Sequence, residues 1–273
     1  MANKTIHDSP VVFISGSASG IGLAAARVFA MRGWRVIGAD LSSDAVEESI
    51  AQLDGDGHLA LTVDVRARNA VDDAVAHGAR ELGRLDAAIP LAGVLKPAAS
   101  ESVSDEELEW LLDVHLLGTI RVARAAYPFL KDTRGSIVGI SSMGASLGLA
   151  GRLGYNAAKA GVEAVMRTLA VEWAEDGIRA NAVAPAWVKT PAIASLIERG
   201  FLNPLPVEKR TPMNRFAYPS EIGEVIEFLA SERSSFVTGT VVKADGGMSV
   251  QFPLPESAEP ASPGIVPVNG QGQ

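Results

Sequence analysis

Tyr155 and Lys159 stand four residues apart in the stretch GYNAAKAGVEAVMRTLAVEWAEDG. Its apolar spacing predicts an amphipathic helix, and residues at i and i+4 share a helix face. A phenol beside an ammonium is an acid–base pair, because the positive charge favours phenolate and pulls the tyrosine pKa down from ~10. A tyrosine tuned in that way takes a proton from an alcohol or returns one to a carbonyl. The same pair on an ordinary helix face would do nothing, so the surrounding elements decide its meaning.

Those elements alternate. VVFISG is β-rich and ends at glycine, and the helical IGLAAARVFAMRG follows. RVIGAD, HLALTVDV, LDAAIPLAG, GSIVGISS, IRANAVAP and GTVVKADGG read as further strands, separated by helical patterns that include a long one over roughly 104–131. Short apolar strands alternating with helices predict a parallel sheet covered on both faces. Residues 1–250 read as one domain. Residues 186–218 hold several prolines and suit a lid over a site. Residues 251–273, rich in Pro, Gly, Ser and Gln, read as a tail without its own core.

The first strand runs into Ser15-Gly16-Ser17-Ala18-Ser19-Gly20-Ile21-Gly22 and then directly into a helix. Glycines permit a sharp turn and leave room for a pyrophosphate, while the helix N-terminus offers free N–H groups and a positive dipole end. The spacing differs from the common G-x-G-x-x-G, and no P-loop lysine follows. The second strand ends at Asp40, eighteen residues after Gly22, where a dinucleotide fold places the carboxylate that binds the adenosine ribose. A carboxylate there repels a 2′-phosphate, and neither Ser19 nor Leu41 offers a cation to welcome one. The expected cofactor is NAD.

With these motifs in order, residues 10–248 resemble a short-chain dehydrogenase/reductase of the single-domain Tyr-x-x-x-Lys type. The matching parts are the glycine turn, Asp64-Val65, Ala92-Gly93, Ser141-Ser142, Tyr155/Lys159, Pro185 to Thr190, and Asp245-Gly246-Gly247. The resemblance implies a Rossmann-like doubly wound α/β/α sandwich with a seven-stranded parallel sheet. It places the catalytic serine thirteen residues before the tyrosine, on Ser142, which would steady the substrate oxygen. Lys159 would also hold the nicotinamide ribose. Gly16, Ser19, Gly20, Ile21, Gly22, Asp40 and Leu41 would take the adenosine and pyrophosphate end, with Asp64, Val65, Ala92 and Gly93 beside the adenosine. Pro185, Val188 and Thr190 would meet the nicotinamide end. The resemblance also implies a homotetramer, or a homodimer, built on the long helices and the last strand.

Two departures stand out. The family usually carries Asn-Asn-Ala-Gly after the fourth strand, where this chain has Pro90-Leu91-Ala92-Gly93. That change is expected to alter local hydrogen bonding more than chemistry. His115 occupies the place of the asparagine that commonly supports a proton relay to the lysine, and a histidine can also pass a proton. Substrate contacts are expected from Ser142, Met143, Leu149, Tyr155 and Trp187, with Ala145, Leu147, Leu153, Ile193 and Leu196 as further apolar lining. Lys96, Arg152 and Asn156 are candidate polar anchors.

The reading is therefore NAD(H)-dependent interconversion of a secondary alcohol and a ketone. Alternatives are a polar sugar or hydroxy acid as substrate, or a non-catalytic dinucleotide sensor. An epimerase or dehydratase acting on nucleotide sugars would need a larger C-terminal substrate domain. Composition sets the outer bounds. In 273 residues, 47% are hydrophobic and 21% charged, which suffices for a sizeable core. A net charge of −8 without a basic run argues against nucleic acid. The absence of cysteine excludes disulfides and thiolate chemistry. His7, His58 and His77 are scattered, so no metal site is expected. No long apolar run stands at the start or elsewhere, so no membrane partner is expected and a cytoplasmic protein is the default.

Overall fold

A computed structural model describes residues 9–251. The tail assigned to 251–273 lies outside them except for Gln251. The first half runs β1 (Val11–Ser15), α1 (Gly20–Met31), β2 (Arg35–Asp40), α2 (Ser43–Ala51), β3 (Leu59–Thr62), α3 (Arg68–Glu81) and β4 (Ala87–Pro90). It continues through α4 (Asp105–Leu112), α5 (Gly118–Thr133), β5 (Ser136–Ile140), α6 (Leu153–Glu172) and β6 (Arg179–Pro185). Last come α7 (Pro191–Glu198), α8 (Leu205–Arg210), α9 (Pro219–Ala230) and β7 (Val241–Ala244).

All six strand pairings are parallel, and the sheet order is β3-β2-β1-β4-β5-β6-β7. The expected seven-stranded doubly wound sheet is what the chain forms. Strands buried on both faces need apolar residues on both, and β1 (VVFIS) and β5 (SIVGI) are buried throughout. One core lies under α3, α5 and α6, with Phe13, Ile137, Val162 and Met166; the other lies under α1 and α9, with Ile14, Phe29, Ile89 and Ile226. Each fully enclosed side chain of this size contributes roughly 2 kcal/mol of transfer free energy.

Strand order reverses between β1 and β4, which opens a crevice at their carboxyl ends. Ser15 ties that point together, since its hydroxyl accepts from the N–H groups of Leu91 (3.1 Å) and Ala92 (3.3 Å). The Pro90 departure shows its consequence here. Proline has no N–H to donate, and the β4–β5 register holds only two pairs, Ala87↔Ser136 and Ala88↔Ile137.

The helix expected over 104–131 needs one correction. Ser104 caps it by accepting from the Glu107 N–H (3.3 Å), and three acidic residues fill the first turn. The helix does not run regularly: α4 and α5 are separated by a π-helical turn, Asp113–Leu117. Such a turn inserts one residue into the ladder and re-aims the side chains within it. His115 sits in its middle.

Candidate active site

The α6 helix buries Gly154, Ala158, Val162, Met166 and Ala170, a row with a four-residue period. That row packs onto the sheet and brings Tyr155 and Lys159 over the carboxyl end of β5. Lys159 is 6% exposed, and its Nζ donates to the Ile140 carbonyl (2.8 Å) while standing 5.6 Å from the centroid of the Tyr155 ring.

The adjacent serines are committed differently. Ser141 turns its hydroxyl toward α6, donating to Glu163 Oε1 (2.8 Å) and lying 3.3 Å from the Lys159 carbonyl oxygen. Ser142 accepts from the Gly144 N–H (3.1 Å), and its hydroxyl is placed near enough to the Tyr155 phenol to draw that pKa down. Ser142, Tyr155 and Lys159 thus converge, and Ser141 anchors the helix that carries two of them.

The electrostatic expectation is corrected. In the protein alone the Tyr155 phenol is held above its ordinary value: burial dominates, and the Ser142 hydrogen bond and the Arg152 charge only oppose it. Lys159 does not reverse this. Its own ammonium is desolvated and its pKa falls to about 8.

His115 is 3% exposed. Its Nε2 lies 2.7 Å from the Val94 carbonyl oxygen and 3.2 Å from the Val94 backbone nitrogen, so the tautomer sets which of the two it bonds. Nδ1 is buried without a partner. The imidazole stands edge-on to the Tyr155 ring at 5.2 Å and 89°, and its Cε1 would lie 2.7 Å from a Cβ on Gly93. Burial first, then the Lys159 charge, pulls its pKa down to about 3. Relay through a charged imidazolium is therefore not available near neutrality; what remains is a neutral ring fixed by Val94.

A prediction follows from the sign of that shift. Unfolded chains protonate His115 below ~6.5, whereas the folded one resists until about 3. Its contribution to stability is complete above pH ~6.5 and is lost as pH falls toward 3. His115→Asn, which keeps an N–H for Val94, should retain activity within about threefold and flatten this part of the acid unfolding curve. A kinetic pKa near 6.5 in the parent that vanishes in His115→Asn would restore the charged relay.

The glycine turn closes the other side of the crevice. Gly16 (φ +76°) donates to the Ala39 carbonyl at 2.7 Å, and a Cβ on Gly22 would stand 1.9 Å from the Gly16 carbonyl oxygen. Ser19 is the N-cap of α1 yet supplies no side-chain cap bond, so the first-turn N–H groups of Gly20, Ile21 and Gly22 face the crevice for an anion. Asp40 ends β2, accepting from Ala18 N (3.1 Å) and Leu41 N (2.8 Å), with Leu41 exposed beside it. Ala92 and Gly93 follow β4. Pro185 ends β6, Val188 is buried, and Thr190 caps α7 with its methyl 3.4 Å from a Cβ built on Gly20. Asp64 is held by Arg66 (Nη2–Oδ2 2.7 Å), which keeps its carboxyl below the usual range, and Val65 is buried next to it. These donors, carboxylate and close-approach glycines fit a dinucleotide.

Met143, the residue after Ser142, lines a cavity of ≈ 420 Å³ together with Leu147, Gly148, Leu149, Trp187, Pro206, Val207, Arg210 and Met248. Met143, Leu147, Leu149 and Trp187 were expected. Ser142 and Tyr155, expected as substrate contacts, are not among its lining residues, nor are Ala145 and Ile193, and Leu153 and Leu196 are 48% and 37% exposed on the surface. Lys96 is not an anchor, because it pairs with Glu107. Asn156 donates only to the Leu149 carbonyl, at 3.4 Å. Sequence reasoning missed Arg210, whose signal was its place one turn after Val207 on α8, the i+3 spacing that shares a face.

An all-parallel doubly wound sheet with a dinucleotide crevice and a Ser-Tyr-Lys cluster defines a nicotinamide-dependent oxidoreductase fold. Residues 16–249 match the family described as Enoyl-(Acyl carrier protein) reductase, and the chain belongs to the short-chain dehydrogenase/reductase family. It is 35% identical over 246 residues to the 3-oxoacyl-(acyl-carrier-protein) reductase FabG of Thermotoga maritima, covering 89% of this chain and 99% of that protein. It is 37% identical over 246 residues to the cis-4-hydroxycyclohexanecarboxylate dehydrogenase of Sinomonas cyclohexanicum, covering 87% and 95%. The solved structure of levodione reductase superposes with a TM-score of 0.82 at 30% identity, covering 89% of this chain and 98% of that one. Among the described residues no helix is long and apolar enough to cross a membrane.

Proposed function

We propose that the protein interconverts a secondary alcohol and a ketone with NAD(H), and that cyclic alcohols fit its cavity. The observation that carries this reading is the convergence of Ser142, Tyr155 and Lys159 at the carboxyl end of β5, with Met143, the neighbour of Ser142, lining an apolar cavity of ≈ 420 Å³, a volume suited to a small ring. The relative named for a hydroxycyclohexanecarboxylate supports a cyclic one. Oxidation breaks the carbinol C–H and O–H bonds and forms C=O. Tyr155 takes the hydroxyl proton, Ser142 holds the oxygen, and Lys159 receives the ribose and supplies positive charge. The dinucleotide, when bound, accepts the hydride in oxidation and returns it in reduction. Gly16 to Gly22, Asp40, Asp64, Ala92, Gly93, Pro185, Val188 and Thr190 would hold it.

Absorbance at the NADH band, with a panel of cyclic, aromatic and polyol alcohols, tests the reading. Turnover of none of them removes it. Asp40 supports NAD over NADP, since a carboxylate accepts ribose hydroxyls and repels a 2′-phosphate. The parent should prefer NAD by about 100-fold in kcat/KM, and Asp40→Ala with Leu41→Arg should reverse the order, each charge-assisted bond counting for roughly tenfold or more. Equal use of both dinucleotides by the parent would refute this assignment.

Assembly as a homotetramer belongs to the same proposal. Leu117, Leu153 and Val171 are exposed on the π-turn and α6, and Phe228 and Phe236 on and after α9, apolar surface that suits burial between subunits. Light scattering reads the mass.

A further inference from the structure

The cavity that Met143 lines, next in the chain after Ser142, has walls of one kind and a single exception. Met143, Leu147, Gly148, Leu149, Trp187, Pro206, Val207 and Met248 offer it no side-chain carboxylate, hydroxyl or carboxamide. Arg210 is the charged lining residue. It closes α8, one turn beyond Val207, so the helix that covers the cavity also delivers the guanidinium to its edge.

The guanidinium is placed rather than loose. Its Nη1 donates to the Gln251 carbonyl (3.2 Å) and to Gln251 Oε1 (3.3 Å), which ties α8 to the segment after β7. These acceptors are neutral. Among the described residues no carboxylate pairs with Arg210, whereas Arg215, five residues on, is forked onto Glu221. A guanidinium carries five donors in a planar fork matched to a carboxylate. Beside apolar walls the attraction for an anion is screened less than in open water. A neutral alcohol would leave that charge unanswered.

We infer that Arg210 sets substrate specificity by receiving a carboxylate carried on the far end of the alcohol from Tyr155. The inference rests on the reading that this cavity takes the alcohol, and it narrows the substrate to a hydroxy acid whose body is apolar. Ser142 and Tyr155 would hold the reacting oxygen at one end, Arg210 the carboxylate at the other, and Trp187 and Leu149 the ring between them. One positive group fixes both the orientation of the ring and the face presented to the dinucleotide.

Two measurements on the full chain test this. In the first, cyclohexanecarboxylate and cyclohexanecarboxamide are titrated calorimetrically with and without NAD; neither can be oxidised as an alcohol, so the result does not depend on turnover. The carboxylate should bind about 10–100-fold more tightly, Arg210→Gln should erase the difference, and Arg210→Lys should keep part of it. In the second, 4-hydroxycyclohexanecarboxylate and cyclohexanol are compared as substrates. Arg210→Gln should raise KM for the acid by about 10–100-fold, a loss that exceeds any it brings for cyclohexanol.

Equal binding of the two titrants by the parent, no detectable carboxylate binding, or an equal loss for both substrates overturns the inference. Should Arg210→Gln not fold, the parent's discrimination between the titrants decides by itself. Selective carboxylate binding without oxidation of any alcohol would support the anion site and sink the dehydrogenase reading instead.

Discussion

Tyr155→Phe is expected to lower kcat/KM for alcohol oxidation by about 1000-fold, inside the ~10²–10⁴ range of a positioned acid–base group, while NADH uptake stays at the parent's level. Phenylalanine keeps the ring that meets His115 edge-on at 5.2 Å, so packing is retained and only the ionisable oxygen is lost. The phenol starts above its ordinary pKa because burial outweighs Ser142 and Arg152. Oxidation needs phenolate and should quicken as pH rises, whereas ketone reduction needs the protonated phenol and should slow. Lys159, with a pKa pulled to about 8, is positively charged below that pH and loses its charge above it. Folding against that desolvation costs the most below pH ~8; stability recovers as pH climbs toward ~10.5, the unfolded value. NADH fluorescence titration alongside steady-state rates is the check. A Tyr155→Phe enzyme as fast as the parent would end the general-acid assignment.

Gly22→Ala carries the second large effect, on cofactor uptake. An added Cβ would stand 1.9 Å from the Gly16 carbonyl oxygen and 3.1 Å from Ser17 Cα. The atoms it meets are backbone, so no side chain can swing away and the turn itself must open. Overpacking of this kind costs about 1–3 kcal/mol or more, which in a chain of this size lowers Tm by roughly 2–12 °C. The displaced Gly16 to Gly22 loop no longer aims its N–H groups at one point, so dinucleotide affinity should fall by at least about 100-fold, the equivalent of two lost charge-assisted bonds. Gly33→Ala is the control. Its φ of +79° carries strain, but nothing lies within 4 Å, so it should lose stability alone and bind the cofactor as the parent does. Equal NADH binding by Gly22→Ala and the parent would remove the loop from the cofactor site.

Much of the site was legible because its signals are local. The four-residue spacing of Tyr155 and Lys159, the glycine turn opening a helix, and Asp40 closing a strand each depend on a few consecutive dihedrals and a helix period. The alternation of apolar strands and amphipathic helices carried the sheet in the same way. Interactions between distant segments were not legible. Whether Ser141 or Ser142 reaches the phenol depends on Glu163, twenty-two residues away, taking the Ser141 hydroxyl.

The chain's own residues determined the class of fold, the glycine turn and the pairing of Tyr155 with Lys159, because neighbours in sequence settle turns, caps and helix faces. Tertiary structure decided the quantities that depend on enclosure. It raised the Tyr155 pKa where proximity of charge alone predicted a fall, held His115 neutral, paired Lys96 with Glu107, and brought Arg210 to the cavity. Desolvation and contact across the sheet are properties of the folded volume, and no spacing along a strand or helix encodes how much water a group will lose.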